Sequence, residues 1–302
     1  MDNELPVLGL IGLGTMGTPI AERLIGAGAE LWVFDTDVAA VNRAVGNGAS
    51  AAASPSDVAA HADVVLLSLP NAKIVLEVVA GKDGLLSGSP VRAVIDLSTT
   101  GPAGAENLRT ALEASGVSYL DAPVSGGPAG ARGGRLTIMA AGAPELLAEL
   151  TPILSILGSN ILHVGDVGGQ GQLAKVLNNL MSATSIAITA EALSMGVRGG
   201  LDPERLLSVI NASSGRNAAS SDKFPQFVLT RSFDFGFQYN LMVKDVSLAL
   251  DEAARVGVPM MVGSTVRQLW DIGQKILPSG SDCTALAQVV ESWAGVTIGG
   301  DA

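Results

Sequence analysis

Pro6-Val7-Leu8-Gly9-Leu10-Ile11-Gly12-Leu13-Gly14-Thr15-Met16-Gly17 joins a short apolar run to the spacing G-x-G-x-x-G, and a helical pattern follows over residues 18–27. Strand, tight glycine turn and helix in succession are the context in which this spacing binds a dinucleotide. Gly12 permits the turn, Gly14 lets the backbone approach a pyrophosphate, and Gly17 allows the helix to pack closely on the strand. Thr15 and Met16 complete the loop at the helix N-terminus, where backbone N–H groups favour phosphate. A second apolar run, Leu31-Trp32-Val33-Phe34, ends in Asp35, 23 residues after Gly12. A carboxylate there accepts hydrogen bonds from ribose hydroxyls and repels a 2′-phosphate. Thr36 and Asp37 follow it where an arginine would favour NADP, so NAD is expected as cofactor in preference to NADP.

Outward from this unit, strand and helix patterns alternate. Residues 62–69 and 93–97 read as strands apolar on both sides, as parallel strands covered by helices are. Their ends, Ser68-Leu69-Pro70-Asn71 and Asp96-Leu97-Ser98-Thr99-Thr100, carry polar and turn residues. In open α/β sheets a ligand lies outside the carboxyl ends of the strands, which makes Leu69 and Pro70 candidate cofactor contacts. Pro70 and Gly101-Pro102 serve equally well as plain strand terminators. Further strands at residues 136–140 and 161–164 flank a helix over residues 144–157, and the alternation stops at the glycine-rich segment 165–169. Beyond it helical patterns dominate: residues 172–197, a helix opened by Asp202-Pro203, residues 242–255, a helix from Pro259 towards Lys275, and residues 284–293. The expected fold is an α/β Rossmann domain with a mostly parallel, doubly wound sheet (residues 1–167), joined by a long interdomain helix to an all-α C-terminal domain (residues 168–302).

Composition narrows the function. Hydrophobic residues make up 48% of the chain against 16% charged, enough to bury large cores and far from a disordered composition. A net charge of −11 argues against nucleic acid as a partner. The longest apolar run, around residues 180–197, contains several Ser and Thr and Glu191 and falls short of a clean membrane span. With Cys283 as the only cysteine and an acidic start, residues 1–4, unlike a targeting peptide, a cytoplasmic location is expected. His61 and His163 read as surface or satisfied histidines, so neither a metal cluster nor a histidine-based catalytic pair is expected, and lysine is left as the acid/base.

Gly169-Gln170-Gly171-Gln172-Leu173-Ala174-Lys175-Val176-Leu177-Asn178-Asn179 supplies that lysine. In a helix opening after the glycine turn, Lys175 and Asn179 share a face one turn apart, with Asn178 beside them. An amine with amide partners, next to a cofactor domain, suits a proton donor; taken alone, the same residues also fit a solvated helix face. Ser125-Gly126-Gly127, within Asp121-Ala122-Pro123-Val124-Ser125-Gly126-Gly127-Pro128, offers a hydroxyl and open backbone N–H groups for a substrate carboxylate, or simply a turn.

Taken in order, four motifs resemble those of the β-hydroxyacid dehydrogenase family: Gly12-Leu13-Gly14-Thr15-Met16-Gly17, Asp121 to Gly127, Gly169-x-Gly171-x-x-x-Lys175-x-x-Asn178-Asn179, and Lys244-Asp245-Val246. The likeness extends over nearly the whole chain, including the Ser213-Ser214-Gly215-Arg216 break. The resemblance implies NAD(P)-dependent interconversion of a small hydroxy-carboxylic acid and its aldehyde or keto form, in a homodimer or homotetramer. It further implies Lys175 as general acid/base and Asn178 and Asn179 as substrate-orienting residues. Ser125-Gly126-Gly127 would hold the carboxylate, Thr99 would touch the cofactor and Lys244 would lie over the nicotinamide. The chain departs from the family pattern after Arg216, where relatives often carry a Trp and this sequence has Asn217-Ala218-Ala219. Imine reductases share the fold but commonly replace the lysine. Two other functions fit the pattern, a semialdehyde reductase and a non-catalytic dinucleotide-binding sensor.

Overall fold

A computed structural model describes residues 5–88 and 91–300; the acidic start, residues 1–4, lies outside the described residues. The chain divides into two compact units, Met1–Lys175 and Val176–Ala302.

The first unit alternates strands and helices: β1 (Leu8–Ile11), α1 (Gly17–Gly26), β2 (Leu31–Phe34), α2 (Val38–Gly46), β3 (Ser50–Ala51), α3 (Pro55–His61), β4 (Val64–Leu67), α4 (Ala72–Ala80), β5 (Ala93–Asp96), α5 (Gly101–Glu113), β6 (Ser118–Asp121), β7 (Val124–Ser125), α6 (Gly127–Arg132), β8 (Thr137–Ala141), α7 (Pro144–Leu157) and β9 (Asn160–Gly165). They build one sheet in the order β3-β2-β1-β4-β5-β6-β8-β7, with β9 beside β8. β3 to β6 run parallel, whereas β8 is antiparallel to both β6 and β7. The strand order reverses between β1 and β4, which opens the crevice where doubly wound sheets bind ligands.

Period-two alternation explains why the central strands are apolar on both faces, up to Asp96 at the end of β5. Leu8, Leu10, Val64, Leu66, Ala93 and Ile95 enter one core with α1, α2 and α7, while Val65, Leu67 and Val94 enter the opposite core with α3, α4 and α5. Each strand thus loses both faces to helices and keeps no polar side.

α8 (Gln170–Arg198) starts at the end of the first unit and continues into the second. The second unit goes on with α9 (Pro203–Asn211), a π-helical segment (Ala219–Val228), α10 (Tyr239–Arg255), α11 (Met261–Ile276) and α12 (Leu286–Ala294). Asp202 caps α9 by accepting from Arg205 N–H at 2.9 Å, in the role its place before Pro203 predicts. By length and composition α8 could cross a membrane. Its apolar residues Val176, Leu180, Ala183, Ile186, Ala190 and Leu193 instead join Phe224, Val246 and Trp270 in the core of the second unit. Cys283 is fully buried in that core, and burial pushes its thiol well above its ordinary value.

Candidate active site

The three motif glycines differ in surroundings. A Cβ on Gly12, whose φ is +98°, would sit 2.2 Å from the Ser68 carbonyl oxygen, and one on Gly17 would sit 1.8 Å from that of Gly12. These two glycines are required by the protein itself. A Cβ on Gly14 would meet no atom within 4 Å, so nothing within the chain itself requires glycine there. α1 carries no acidic residue in its first turn and no side-chain cap; Thr18 N–H donates to Gly14 O at 3.0 Å and Pro19 has no N–H, so an anion would meet the N–H groups of the glycine loop just before them. This cradle fits a dinucleotide pyrophosphate. Thr15 is exposed and Met16 half-buried at its rim.

Asp35 follows β2, as the spacing predicts, and is tied into the fold. Its carboxylate accepts from Leu13 N–H at 2.5 Å and Asp37 N–H at 2.8 Å, tying the strand end to the glycine loop. A carboxylate has about four acceptor positions, so these bonds leave room for further donors. Leu69 lies against Gly12, and its N–H donates to Ser98 Oγ at 2.9 Å. The structure thus brings Gly12, Gly14, Gly17, Asp35 and Leu69 to one end of the sheet, with Pro70 next in the chain.

The Asp121 motif is more ordered than the loop its Ser-Gly-Gly composition suggests. Ser125 closes β7, paired with Thr137 of β8, and Gly127 opens α6. Gly126 at φ +127° and Gly127 at φ +63° hold a backbone that L side chains rarely adopt, which is why both are glycine. Asp121 itself is completely buried. It accepts from Gly169 N–H at 2.9 Å, Gln172 N–H at 3.0 Å and Gln172 Nε2 at 2.8 Å. Burial pushes its carboxyl up to about 7, against the lowering effect of the Gln172 bonds. Lys175 follows on the next residues of α8 and is buried.

In the second unit the polar residues form a chain of their own. Asn178 donates to Asn179 Oδ1 at 3.3 Å, and Asn179 donates to Asp245 Oδ2 at 2.6 Å. Asp245, almost fully buried, pairs through Oδ1 with Lys244 Nζ at 3.1 Å. The two asparagines and Lys244, which the motifs single out separately, are one connected set. Asn217, in the segment that departs from the family pattern, is committed locally: its Oδ1 accepts from Ala219 and Ser220 N–H and caps the π-helical segment, while Ala218 is exposed.

Comparison with known proteins agrees with this geometry. Residues 7–165 match the family profile of the NAD binding domain of 6-phosphogluconate dehydrogenase, and residues 169–290 that of NADP-dependent 3-hydroxyisobutyrate dehydrogenase. The chain is 37% identical to 2-(hydroxymethyl)glutarate dehydrogenase of Eubacterium barkeri, over 97% of each chain. It is 40% identical to 3-hydroxyisobutyrate dehydrogenase of Pseudomonas aeruginosa, over 88% of this chain and 91% of that one. The chain belongs to the β-hydroxyacid dehydrogenase family. As a β-hydroxyacid dehydrogenase it is an NAD(P)-dependent oxidoreductase of hydroxyacids. Among solved structures, a Mycobacterium tuberculosis 3-hydroxyisobutyrate dehydrogenase with L-serine superposes with a TM-score of 0.87 at 30% identity, covering 95% of this chain and 99% of that one.

Sequence reasoning about this dehydrogenase assigned no role to Asp121, Gln172 or Asp245, although all three stand inside quoted motifs. Their partners are 48 to 74 residues away in the first unit and 66 in the second. A local pattern carries no sign of such pairings.

Proposed function

We propose that this dehydrogenase oxidises a primary alcohol of the form HOCH2–CH(R)–COO⁻ to the corresponding semialdehyde with NAD, and that Lys175 is the general acid/base. The observation that carries the proposal is a lysine buried in the second turn of α8, at the family's lysine position. The substrate form follows from chemistry: 3-hydroxyisobutyrate and 2-(hydroxymethyl)glutarate, after which two relatives are named, and the serine held by a third share HOCH2–CH–COO⁻ and differ only in R.

In this reading Ser125 Oγ and the backbone N–H groups of Gly126 and Gly127 bind the carboxylate, and Asn178 and Asn179 orient the hydroxyl. Bound NAD supplies a hydride acceptor. As the carbinol carbon gives up hydride, the Lys175 amine takes the hydroxyl proton, so the products are semialdehyde, NADH and a proton passed on to solvent. In reduction the ammonium returns the proton to the forming alkoxide. The carboxylate of Asp35, with Asp37 two residues on, supports NAD over NADP by repelling a 2′-phosphate.

The test is NAD and NADP reduction by wild type and Lys175→Ala with 3-hydroxyisobutyrate, L-serine, 2-(hydroxymethyl)glutarate, glycerate and 3-hydroxypropionate. Wild type should reduce NAD with at least one acid carrying HOCH2–CH(R)–COO⁻, and Lys175→Ala should lose roughly 10²–10⁴-fold in kcat, the usual contribution of a positioned acid/base. Near-normal turnover by Lys175→Ala would remove the assignment.

We also infer that the protein works as a homo-oligomer. α8 buries one side in the core of the second unit and still carries large apolar residues on its uncovered side, beside Ser185 and Glu191. Met181, Ile188 and Met195 follow each other at seven-residue intervals on its uncovered face, 72%, 54% and 80% exposed. Heptad spacing of apolar residues is the pattern that pairs helices, and a second copy of α8 would cover this row.

A further inference from the structure

Gln172 lies three residues before Lys175 and is fully buried, and its amide group reaches back to the segment after β5. Its Nε2 donates to Ser98 O at 3.0 Å, and its Oε1 accepts from Thr100 N–H at 2.8 Å and Gly101 N–H at 3.2 Å. The amide therefore grips the backbone on both sides of Thr99, the residue expected at the cofactor. The other Nε2 hydrogen goes to Asp121 Oδ1 at 2.8 Å, and the second oxygen of Asp121 receives the Gly169 and Gln172 N–H groups at the start of α8.

Helix N-terminal N–H groups need acceptors, and a residue just before the helix normally supplies one. Here a carboxylate from β6, 48 residues earlier, does so. The surroundings are shaped for it. A Cβ on Gly171 would approach Asp121 Oδ2 to 2.9 Å and Met139 O to 2.4 Å, so the G-x-G spacing before the lysine keeps the helix start close to the carboxylate.

We infer that Asp121 and Gln172 form a clasp that sets the position of Lys175 against the Thr99 segment, and so the alignment of proton transfer with hydride transfer. The inference rests on Lys175 being the acid/base. Neither residue touches the reacting atoms; both are positioning residues. The carboxylate fixes the first turn of α8, and the amide fixes the Thr99 backbone to that same turn. A buried polar group with all its bonds made resists displacement, because each broken bond strands a buried donor or acceptor.

The test is a double-mutant cycle of Asp121→Asn with Lys175→Ala, using the hydroxyacid that wild type oxidises fastest. Asparagine offers one acceptor oxygen to three donors, so the clasp opens. In the wild-type background kcat should fall about 10- to 100-fold, the scale of an ångström-level misplacement, with KM for the acid nearly unchanged. In the Lys175→Ala background Asp121→Asn should cost nothing further, because there is no lysine left to misplace. The kcat–pH profile of Asp121→Asn should also be displaced from that of wild type, which a merely structural role would not produce. Should Asp121→Asn fail to fold, Gln172→Glu serves in its place: it keeps an acceptor for Thr100 and Gly101 and turns the donation to Asp121 into repulsion. Equal losses in both backgrounds, or a kcat within about twofold of wild type, would overturn the clasp alone. Full activity of Lys175→Ala would overturn the acid/base assignment and the clasp with it.

Discussion

At the scale of single residues, the glycine loop separates folding from binding. Gly17→Ala places a methyl group on a carbonyl oxygen, and the first unit should fail to fold or melt far earlier. Gly14→Ala places one in open space, so thermal unfolding without cofactor should match wild type. NADH affinity, read by fluorescence titration, should nonetheless fall about tenfold or more, about 1.4 kcal/mol. Equal NADH affinity would mean that the pyrophosphate does not lie over Gly14. The structural need for glycine at 12 and 17 was legible from spacing alone, because strand, turn and helix are contiguous in the chain. Asp121 is the contrary case. Its ordinary value is 3.8, and in the fold burial raises it to about 7, with Asp96 on the neighbouring β5 also raising it. Tyr119 on β6 lies near the same group, and Arg109 on α5 lies near that tyrosine. Between roughly pH 4 and 7 the folded protein holds a proton that the unfolded chain has released. Stability from this group is therefore greatest at the acid end, falls as pH rises towards 7 and then levels. Urea midpoints from pH 5 to 8 should show this decline in wild type and a flatter dependence in Asp121→Asn. Parallel curves would show that Asp121 titrates as an ordinary carboxyl.

At the scale of elements, what the sequence conceals follows from length and locality. β1, β2 and β4 are apolar throughout, and β5 is apolar up to its last residue, Asp96, so all four stand out. β3 is two residues long, and β6 begins with an exposed Ser before its buried Tyr119, so neither gives a usable pattern. α5 escapes notice because it opens with Gly101-Pro102, which reads as a strand ending; proline is at home in a first helical turn, and both readings fit the same dipeptide. The π-helical segment over Ala219–Val228 has no apolar period that a 3.6-residue template recognises. α8 is the best-signalled helix, and its start is its most constrained point. Gly171→Ala should destabilise the protein by about 1–3 kcal/mol, since the added methyl group meets Met139 O and the Asp121 carboxylate together. Denaturant unfolding would measure it. A loss within about 0.5 kcal/mol would mean that the helix start shifts freely.

At the scale of the whole molecule, the family, its two-part architecture and its cofactor class were legible because four motifs stand in order along the chain. The second unit was legible only as a set of helices, since its polar chain from Asn178 to Lys244 depends on Asp245, which joins α8 to α10. Replacing Met181 and Met195 together by Glu puts charge on the uncovered face of α8 and should shift light-scattering mass to the single-chain value of 30.5 kDa. A mass unchanged by this pair would place the oligomer contact elsewhere. Cys283 has a different consequence. A thiol reagent reacts with the thiolate, and this sulfur is both out of contact with solvent and held in its neutral form. The folded protein should therefore ignore maleimides and aromatic disulfides, and each reaction event should record an opening of the second unit. A chain with one silent thiol carries its own stopwatch: labelling rates under native conditions would time that opening with no introduced probe.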